Sequence, residues 1–378
     1  MSTLNVNTIN AATSGQAVAV DVQNPKSFRN LIINGAMNIA QRGTSSTSAG
    51  YQTVDRWAMG IAGTDEAPTQ AQHALTSSDT GPWEKGFRNS FHITNGNQTG
   101  GAGTGDAIEM YMTLEAQDIA NSGWDYTSSS SYITFSFWVK SSVAQNFYGW
   151  WKTSDGTSQL YAFETGSLTA NTWKKVTVKI PGNSNLQFDN NTDSGFHVRI
   201  IPFNGTNETG SMSLNTWAAY NSSVRNPDQT STWYTTNDST FEVTGLQLEV
   251  SDVATDFEHR SYAEELARCQ RYFYEINGAS GDTRIFPGRG QSSNSFQFCI
   301  PTPVPMRAAP TISGDNTRAF RSTTTSDSIS SSTTPTLAPN YDPINAVIAM
   351  NVGGHSSTDN ECANVAVYTD KMNWSAEL

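Results

Sequence analysis

The sequence predicts an all-β protein: an antiparallel sandwich, then a short helix, then a smaller C-terminal β domain. Three observations carry this. Val, Ile, Thr and aromatic residues gather in short runs between Gly, Asn, Ser and Pro clusters, the pattern of strands and turns. Charged residues are only 15% of the 378-residue chain and aromatic residues reach 11%. Disordered chains lack such aromatics, and helical bundles need far more Ala, Glu, Leu and Lys. Ser and Thr together number 89, so the solvent-facing positions are hydroxyl-rich rather than charged. The length leaves room for one large β domain and a smaller one, each with its own core.

Residues 1–27 are small and polar, without a period that builds a core. Such an arm gains order from a partner chain or by folding back on its own domain, and both readings stand. From 28 to 258 strand signals are dense. In ITFSFWVK, Ile133, Phe135, Phe137 and Val139 share one face, and Thr134, Ser136, Trp138 and Lys140 the other. Val176, Val178 and Ile180 alternate with Lys175, Thr177 and Lys179. Residues 107–114, 196–201 and 241–250 behave similarly, and NGNQTGGAGTG, TSDGT, PGNSN and FNGTNETG punctuate them as turns. Many short one-faced strands over this length mean an antiparallel sandwich.

A helix follows within 259–275. Ser261 is a good N-cap, Glu264 completes a capping box, and Tyr262, Leu266, Cys269 and Phe273 fall on one stripe. That stripe packs either on its own sandwich or on symmetry copies about an axis, where these four residues would form the interface between copies. Residues 276–378 form the second β region, with SFQFCI, INAVIAMNV and ANVAVYT as strands. PTPVPMRAAP is an extended, proline-stiffened connection, and the Ser/Thr-rich stretch 322–339 reads as an exposed loop.

The net charge of −12 offers no footprint for a phosphate backbone, so nucleic acid is not an expected partner. No run of 18 apolar residues exists, and the start MSTLNVNTINAATSG has neither a basic region nor an apolar stretch. Neither membrane insertion nor a secretory signal is expected. Cys269, Cys299 and Cys362 fit no metal-ligand spacing and are expected to be reduced and mostly buried. The five histidines are scattered, with no HExxH, no GxSxG elbow and no phosphate loop. No catalytic residue, metal or cofactor is therefore assigned. Paired acids for glycoside cleavage need only the right separation in a groove, so Glu84, Asp106, Asp125, Asp155 and Glu164 stay in view as acids near aromatics.

Aromatic residues beside polar loops are more informative. Trp83, Trp124, Tyr126 and Trp151, with Asp125 and Asp155 nearby, are candidate carbohydrate-binding residues. Sugar rings stack their C–H faces on aromatic planes while acids bond the hydroxyls. The competing reading places these rings in the sandwich core or a subunit interface. Loops near Arg289, Asn340 and Tyr341 are a second candidate surface.

Two stretches carry a resemblance. NLIINGAMNIAQRGTSS…YQTVDRWAMG (30–60) and TGLQLEVSDVATDFEHRSYAEELARCQRYFYE (244–275) resemble the opening and closing segments of a domain in tail-fibre and receptor-binding proteins of tailed bacteriophages, particularly marine ones. Between them, ITFSFWVKSS and WKKVTVKIPG look like inner strands of the jelly-roll sandwich shared with carbohydrate-binding modules. PTPVPMRAAPTIS (301–313) is similar to the link that opens the distal domain of such fibres. The resemblance implies a virion protein, usually a homotrimer, joined to other tail proteins by its N-terminal arm and presenting its outer domains to host-surface polysaccharide. It implies synthesis in the host cytoplasm and a place in the virion. Related modules often hold calcium through an acid after the NG pair and another in the last strand. The matching stretches read Asn34-Gly35-Ala36-Met37 and Val243-Thr244-Gly245-Leu246, without those acids. The expectation is therefore a non-enzymatic tail fibre. A structural adaptor or decoration protein is the alternative, and a polysaccharide-depolymerising spike the more remote one.

Overall fold

In a computed structural model, the described residues are 29–276, 284–292, 295–314, 319–321, 328–330, 336–337, 347–353, 362–367 and 372–378. The N-terminal arm 1–27, Asn340 and Tyr341 lie outside them, as does the side chain of Arg289.

Twelve strands build the sandwich: β1 (Ser45–Ser46), β2 (Ala58–Ala62), β3 (Thr69–Ala74), β4 (Asn89–Thr94), β5 (Ala107–Glu115), β6 (Tyr132–Ser141), β7 (Tyr148–Thr153), β8 (Gln159–Glu164), β9 (Lys174–Pro181), β10 (Ser194–Asn204), β11 (Trp217–Ala219) and β12 (Thr240–Glu249). They form two six-stranded sheets, ordered β1-β3-β4-β12-β6-β9 and β11-β8-β7-β10-β5-β2, with every pairing between named strands antiparallel. The expected sandwich is present. Ile133, Phe135, Phe137 and Val139 are fully buried between the sheets, facing Trp151, Phe163 and Phe196 of the second sheet. Phe135 meets Trp151 edge-on at 5.1 Å, and Trp151 lies 4.4 Å from Phe196. The aromatic content thus closes the core, the geometry such rings favour.

The helix α1 runs Tyr262–Gln270, with the Ser261 hydroxyl accepting from the Glu264 amide at 3.3 Å. It is shorter than the stripe suggests. The chain turns at Arg271 and Phe273 begins strand β13 (Phe273–Ile276), so Phe273 is not a helical residue. Cys269 is completely buried against Ile33, Ile39 and Tyr272 of its own chain, and Leu266 packs on that cluster. Phe273 is buried under the Arg42 guanidinium, 3.6 Å from its ring centre. These contacts overturn Cys269 and Phe273 as trimer-interface residues. Burying a thiol and a phenyl ring on the home domain removes them from any second subunit. Tyr262, by contrast, is 64% exposed.

A charged seam locks this region down. Arg271 grips Glu115 with two 2.8 Å bonds, and the Tyr272 hydroxyl donates to the same carboxylate. Burial alone would raise the Glu115 carboxyl, but the bonds from Arg271 and Tyr272 hold it below the usual range. Arg56, fully buried, lies 3.4 Å over the Tyr272 ring and pairs with Glu377. Arg42 bonds Glu377 at 3.0 Å, and Tyr51 donates to the Leu378 carbonyl at 3.1 Å. Asn30 and Arg29 donate their amides to Glu258, and Arg260 donates to the Asn30 and Ile32 carbonyls. The two stretches that carry the fibre resemblance are therefore one interlocked unit.

The remaining strands are β14 (Arg284–Ser292), β15 (Ser295–Pro301), β16 (Thr311–Gly314), β17 (Ala319–Arg321), β18 (Ser328–Ser330), β19 (Thr336–Leu337), β20 (Val347–Gly353), β21 (Cys362–Val367) and β22 (Met372–Ser375). They form a five-stranded sheet β19-β20-β15-β14-β21, a three-stranded sheet β13-β22-β16 and a hairpin β17-β18. The smaller C-terminal β part is thus present. The stretch 322–339, expected as a loop, contributes β18 and β19. Cys299 is exposed, unlike the buried Cys269.

Candidate functional site

The outer face of the first sheet holds an open cleft of about 240 Å³. It starts from an irregularity in strand pairing. Trp138 stands on the outward side of β6, opposite Lys175 of β9 and Thr244 of β12. Just past Thr244 the β12 register shifts, with Gly245 at φ +65°. A bulge of this kind bends a strand and re-aims its neighbours. A Cβ on Gly245 would stand 2.6 Å from the Phe87 ring, so only glycine lets Phe87 approach.

Phe257 and His259 form an aromatic wall beside Trp138, backed from beneath by the buried Phe87, with centroid separations of 4.8–5.2 Å. His259 Nε2–H donates to the Lys85 carbonyl at 2.8 Å, fixing the ring. The short 3₁₀ turn Trp83–Lys85 supplies Glu84 and Lys85 to the rim, and Lys175, Asp256, Thr255 and Ser136 add polar groups. The Glu84 carboxylate accepts from the Gly81 amide, and Gly81 lies so close to the Trp138 ring that a Cβ there would stand 2.7 Å from it. The result is an apolar platform ringed by hydrogen-bonding groups of both signs.

The sequence-selected residues do not converge on one site. Trp83 lies at the turn beside the cleft, half-buried, with the Arg88 guanidinium 3.8 Å over its ring. Trp124 and Trp151 are corrected outright: they are 3% and 0% exposed, inside the main core, and a ring enclosed on both faces cannot stack on a ligand. Tyr126 is half-buried and packs edge-on against Phe188 at 5.1 Å. Asp125 is exposed and accepts from the Thr127 hydroxyl. Asp155 accepts from the Asp189 amide at 2.9 Å, and partial burial raises its carboxyl. Trp138, Phe87, Phe257, His259 and Lys175 were not selected. One signal was available: ITFSFWVK places a tryptophan on the polar face of an alternating strand.

The outer face of the second sheet carries aromatic and charged groups too, but a segment of the chain covers it. Trp150, Leu160, Ala162 and Ile201 are buried beneath Met212, Leu214 and Tyr220. Arg199 lies over Tyr111 and Trp150, at 4.8 and 5.3 Å, and pairs with Glu109. Lys152 sits 4.7 Å over the Tyr220 ring. His197 is held between Thr113 and Ser154 hydroxyls, and burial, with Lys152 nearby, pushes its imidazole down to about 4.

The residues at the expected calcium position do not fit that ion. The Asn34 amide is spent on Ile39 and Asp55 carbonyls and the Ile39 amide. The Leu246 amide bonds the Gly35 carbonyl at 3.0 Å, and a Cβ on Gly35 would stand 2.1 Å from the Leu246 oxygen. That place is packed shut. Among the described residues, no helix is long and apolar enough to cross a membrane.

The class defined so far is an antiparallel β-sandwich with an open aromatic cleft. No protein-family model matches the chain, and no curated protein sequence does. Among solved structures it is similar to the enzymatically active domain of bacteriophage CBA120 tailspike protein 4, at 12% identity and a TM-score of 0.30, over 59% of this chain and 21% of that one. It is also similar to the family 11 carbohydrate-binding module of the Clostridium thermocellum cellulase Lic26A-Cel5E (12% identity, TM-score 0.24, 57% of this chain and 98% of that one). A third is the N-terminal cellulose-binding domain of Cellulomonas fimi β-1,4-glucanase C (10% identity, TM-score 0.27, 57% and 100%).

Proposed function

We propose that this chain is a fibre protein of a tailed-bacteriophage virion that grips host-surface polysaccharide without cutting it. The observation that supports this most is the open cleft around Trp138, where an aromatic platform meets Glu84, Lys85, Lys175 and Asp256. Its volume is below the roughly 300–1,000 Å³ of sites that enclose a drug-sized ligand, so it suits a single sugar ring held at the surface. Weak contacts of this kind gain strength by repetition on a repetitive polymer. A homotrimer joined to the tail through residues 1–27 supplies that repetition, and Tyr262, the exposed member of the helix stripe, is free to face a second copy. The phage assignment is supported by the resemblance of residues 30–60 and 244–275, the stretches that the charged seam joins.

The test is binding of the purified full-length protein to polysaccharide from candidate hosts, with polymer length followed in parallel. Retained, unshortened polymer, held about tenfold more weakly by Trp138→Ala, is the expected result. Shortened polymer would replace this reading with a depolymerising spike. Failure to bind any host polysaccharide, together with loss of particle assembly on deleting the protein, would replace it with an adaptor.

A further inference from the structure

Two residues along β12 from Thr244, on the same outer face as Trp138, three neighbouring strands of the first sheet bring two histidines and a glutamate together. His73 lies on β3, His92 on β4 and Glu242 on β12, with His92 directly opposite Glu242 and His73 opposite Ser90. Their ligand atoms all lie within 4.8 Å of one another. His73 Nδ1 is 3.1 Å from Glu242 Oε2, and His92 Nδ1 is 3.5 Å from Oε1. Four ligands at the 2.0–2.1 Å bond lengths of zinc stand about 3.3 Å apart along each tetrahedral edge, and the 3.1 and 3.5 Å separations, each to a different oxygen of Glu242, are close to that spacing.

The tautomer of His92 sharpens the point. Its Nε2 lies 3.0 Å from the Thr94 hydroxyl. With Nε2–H donating there, Nδ1 presents a lone pair towards a carboxylate. His92 Nδ1 is a buried atom with no hydrogen-bond partner. In that tautomer Nδ1 and Oε1 are two acceptors 3.5 Å apart, which an ion between them would relieve; the other tautomer donates Nδ1–H to Glu242 instead, so metal binding selects the first. A ligating histidine usually donates its other ring N–H to a fixed partner in this way. The Ser90 hydroxyl donates to Glu242 at 2.8 Å and orients the carboxylate. The side chain of His73 is 49% exposed, which leaves a path for an ion and a place for a water as fourth ligand. Lys140 is a resident competitor, 2.9 Å from Glu242 and 2.9 Å from Asp79.

We propose that His73, His92 and Glu242 form a binding site for a divalent transition-metal ion of the zinc class, which cross-links β3, β4 and β12. An imidazole–imidazole–carboxylate donor set suits zinc, copper and nickel rather than calcium.

The test is calorimetric titration of the chelator-stripped full-length protein with Zn²⁺, and with Co²⁺ followed by its visible absorption. One saturable ion per chain is expected, weakened at least tenfold by His73→Ala and by His92→Ala. Lys140→Met should tighten binding at least threefold, while His259→Ala and Cys299→Ser leave it unchanged. Absence of saturable binding, or unaltered binding in His73→Ala, overturns the proposal. His73 is on the surface, so that variant keeps the test decisive if His92→Ala fails to fold.

Discussion

The two outer faces of the sandwich start from similar material and end differently. Each alternates apolar inward residues with aromatic and charged outward ones. On the second sheet the outward Trp150 is 3% exposed, roofed by Met212, Leu214 and Tyr220, and Arg199 is absorbed by Glu109, Tyr111 and Trp150. On the first sheet the outward Trp138 stays at the edge of an open cleft. Alternation tells which side of a strand a residue takes. Whether that side meets water depends on a segment folded over it from elsewhere in the chain.

The largest expected effect is on the roofed face. Trp150→Ala should cost about 3–5 kcal/mol of stability, the range for emptying a buried tryptophan site, and leave glycan binding per folded molecule intact. Denaturant unfolding measures the first and polysaccharide retention the second. Lost binding with unchanged stability would reverse the roles of the two faces.

Glu377→Gln strips Arg56 of its buried counter-charge and should cost about 3 kcal/mol or more, because removing one partner strands the other. The Tm of the variant should fall, and the sandwich core should become more open to hydrogen exchange near Tyr272. A Tm within a degree of the parent would mean that the seam does not tie the terminal residues to the sandwich.

His197 gives the roofed face a pH signature. Its folded value of about 4 lies below the ordinary 6.5, so the folded state holds fewer protons between those values. Stability from this residue is complete above pH 6.5 and is lost as pH falls towards 4, by up to about 3 kcal/mol. The fall in Tm over that window should be shallower in His197→Asn than in the parent. Parallel curves would show that the imidazole stays accessible to protons.

The smallest expected effect is on the open face. Trp138→Ala should weaken glycan retention about tenfold, roughly 1.4 kcal/mol, with little change in Tm. A loss of several degrees instead would make Trp138 a structural residue like Trp150.

Much of the fold was legible because strand alternation is local. Ile133 to Val139 and Val176 to Ile180 announced their buried faces, and Ser261 its helix cap. The helix end was not legible. Phe273 keeps the helical spacing, yet pairing with Ser375 and the Arg42 contact pull it into a strand. The site was less legible still. Trp124 and Trp151 sit beside polar turns in sequence, but their rings fill the core between the sheets. The cleft joins Trp138 to Phe87, Phe257 and His259, residues far apart along the chain, and no local pattern links them. The two histidines and Glu242 lie on three strands that become neighbours only when the sheet assembles.

The small sheet β13-β22-β16 has a consequence for engineering. Gly314 and Met372 are paired across one rung of its ladder, so everything from 315 to 371 departs and comes back at a single doorway. Yet β14 and β15, which precede that doorway in the chain, pair with β21 and β20 inside the stretch. Cutting out 315–371 alone would therefore bare both edges of the β14–β15 ladder, a template for unwanted pairing. A graft at this doorway has to carry residues 284–301 along with it.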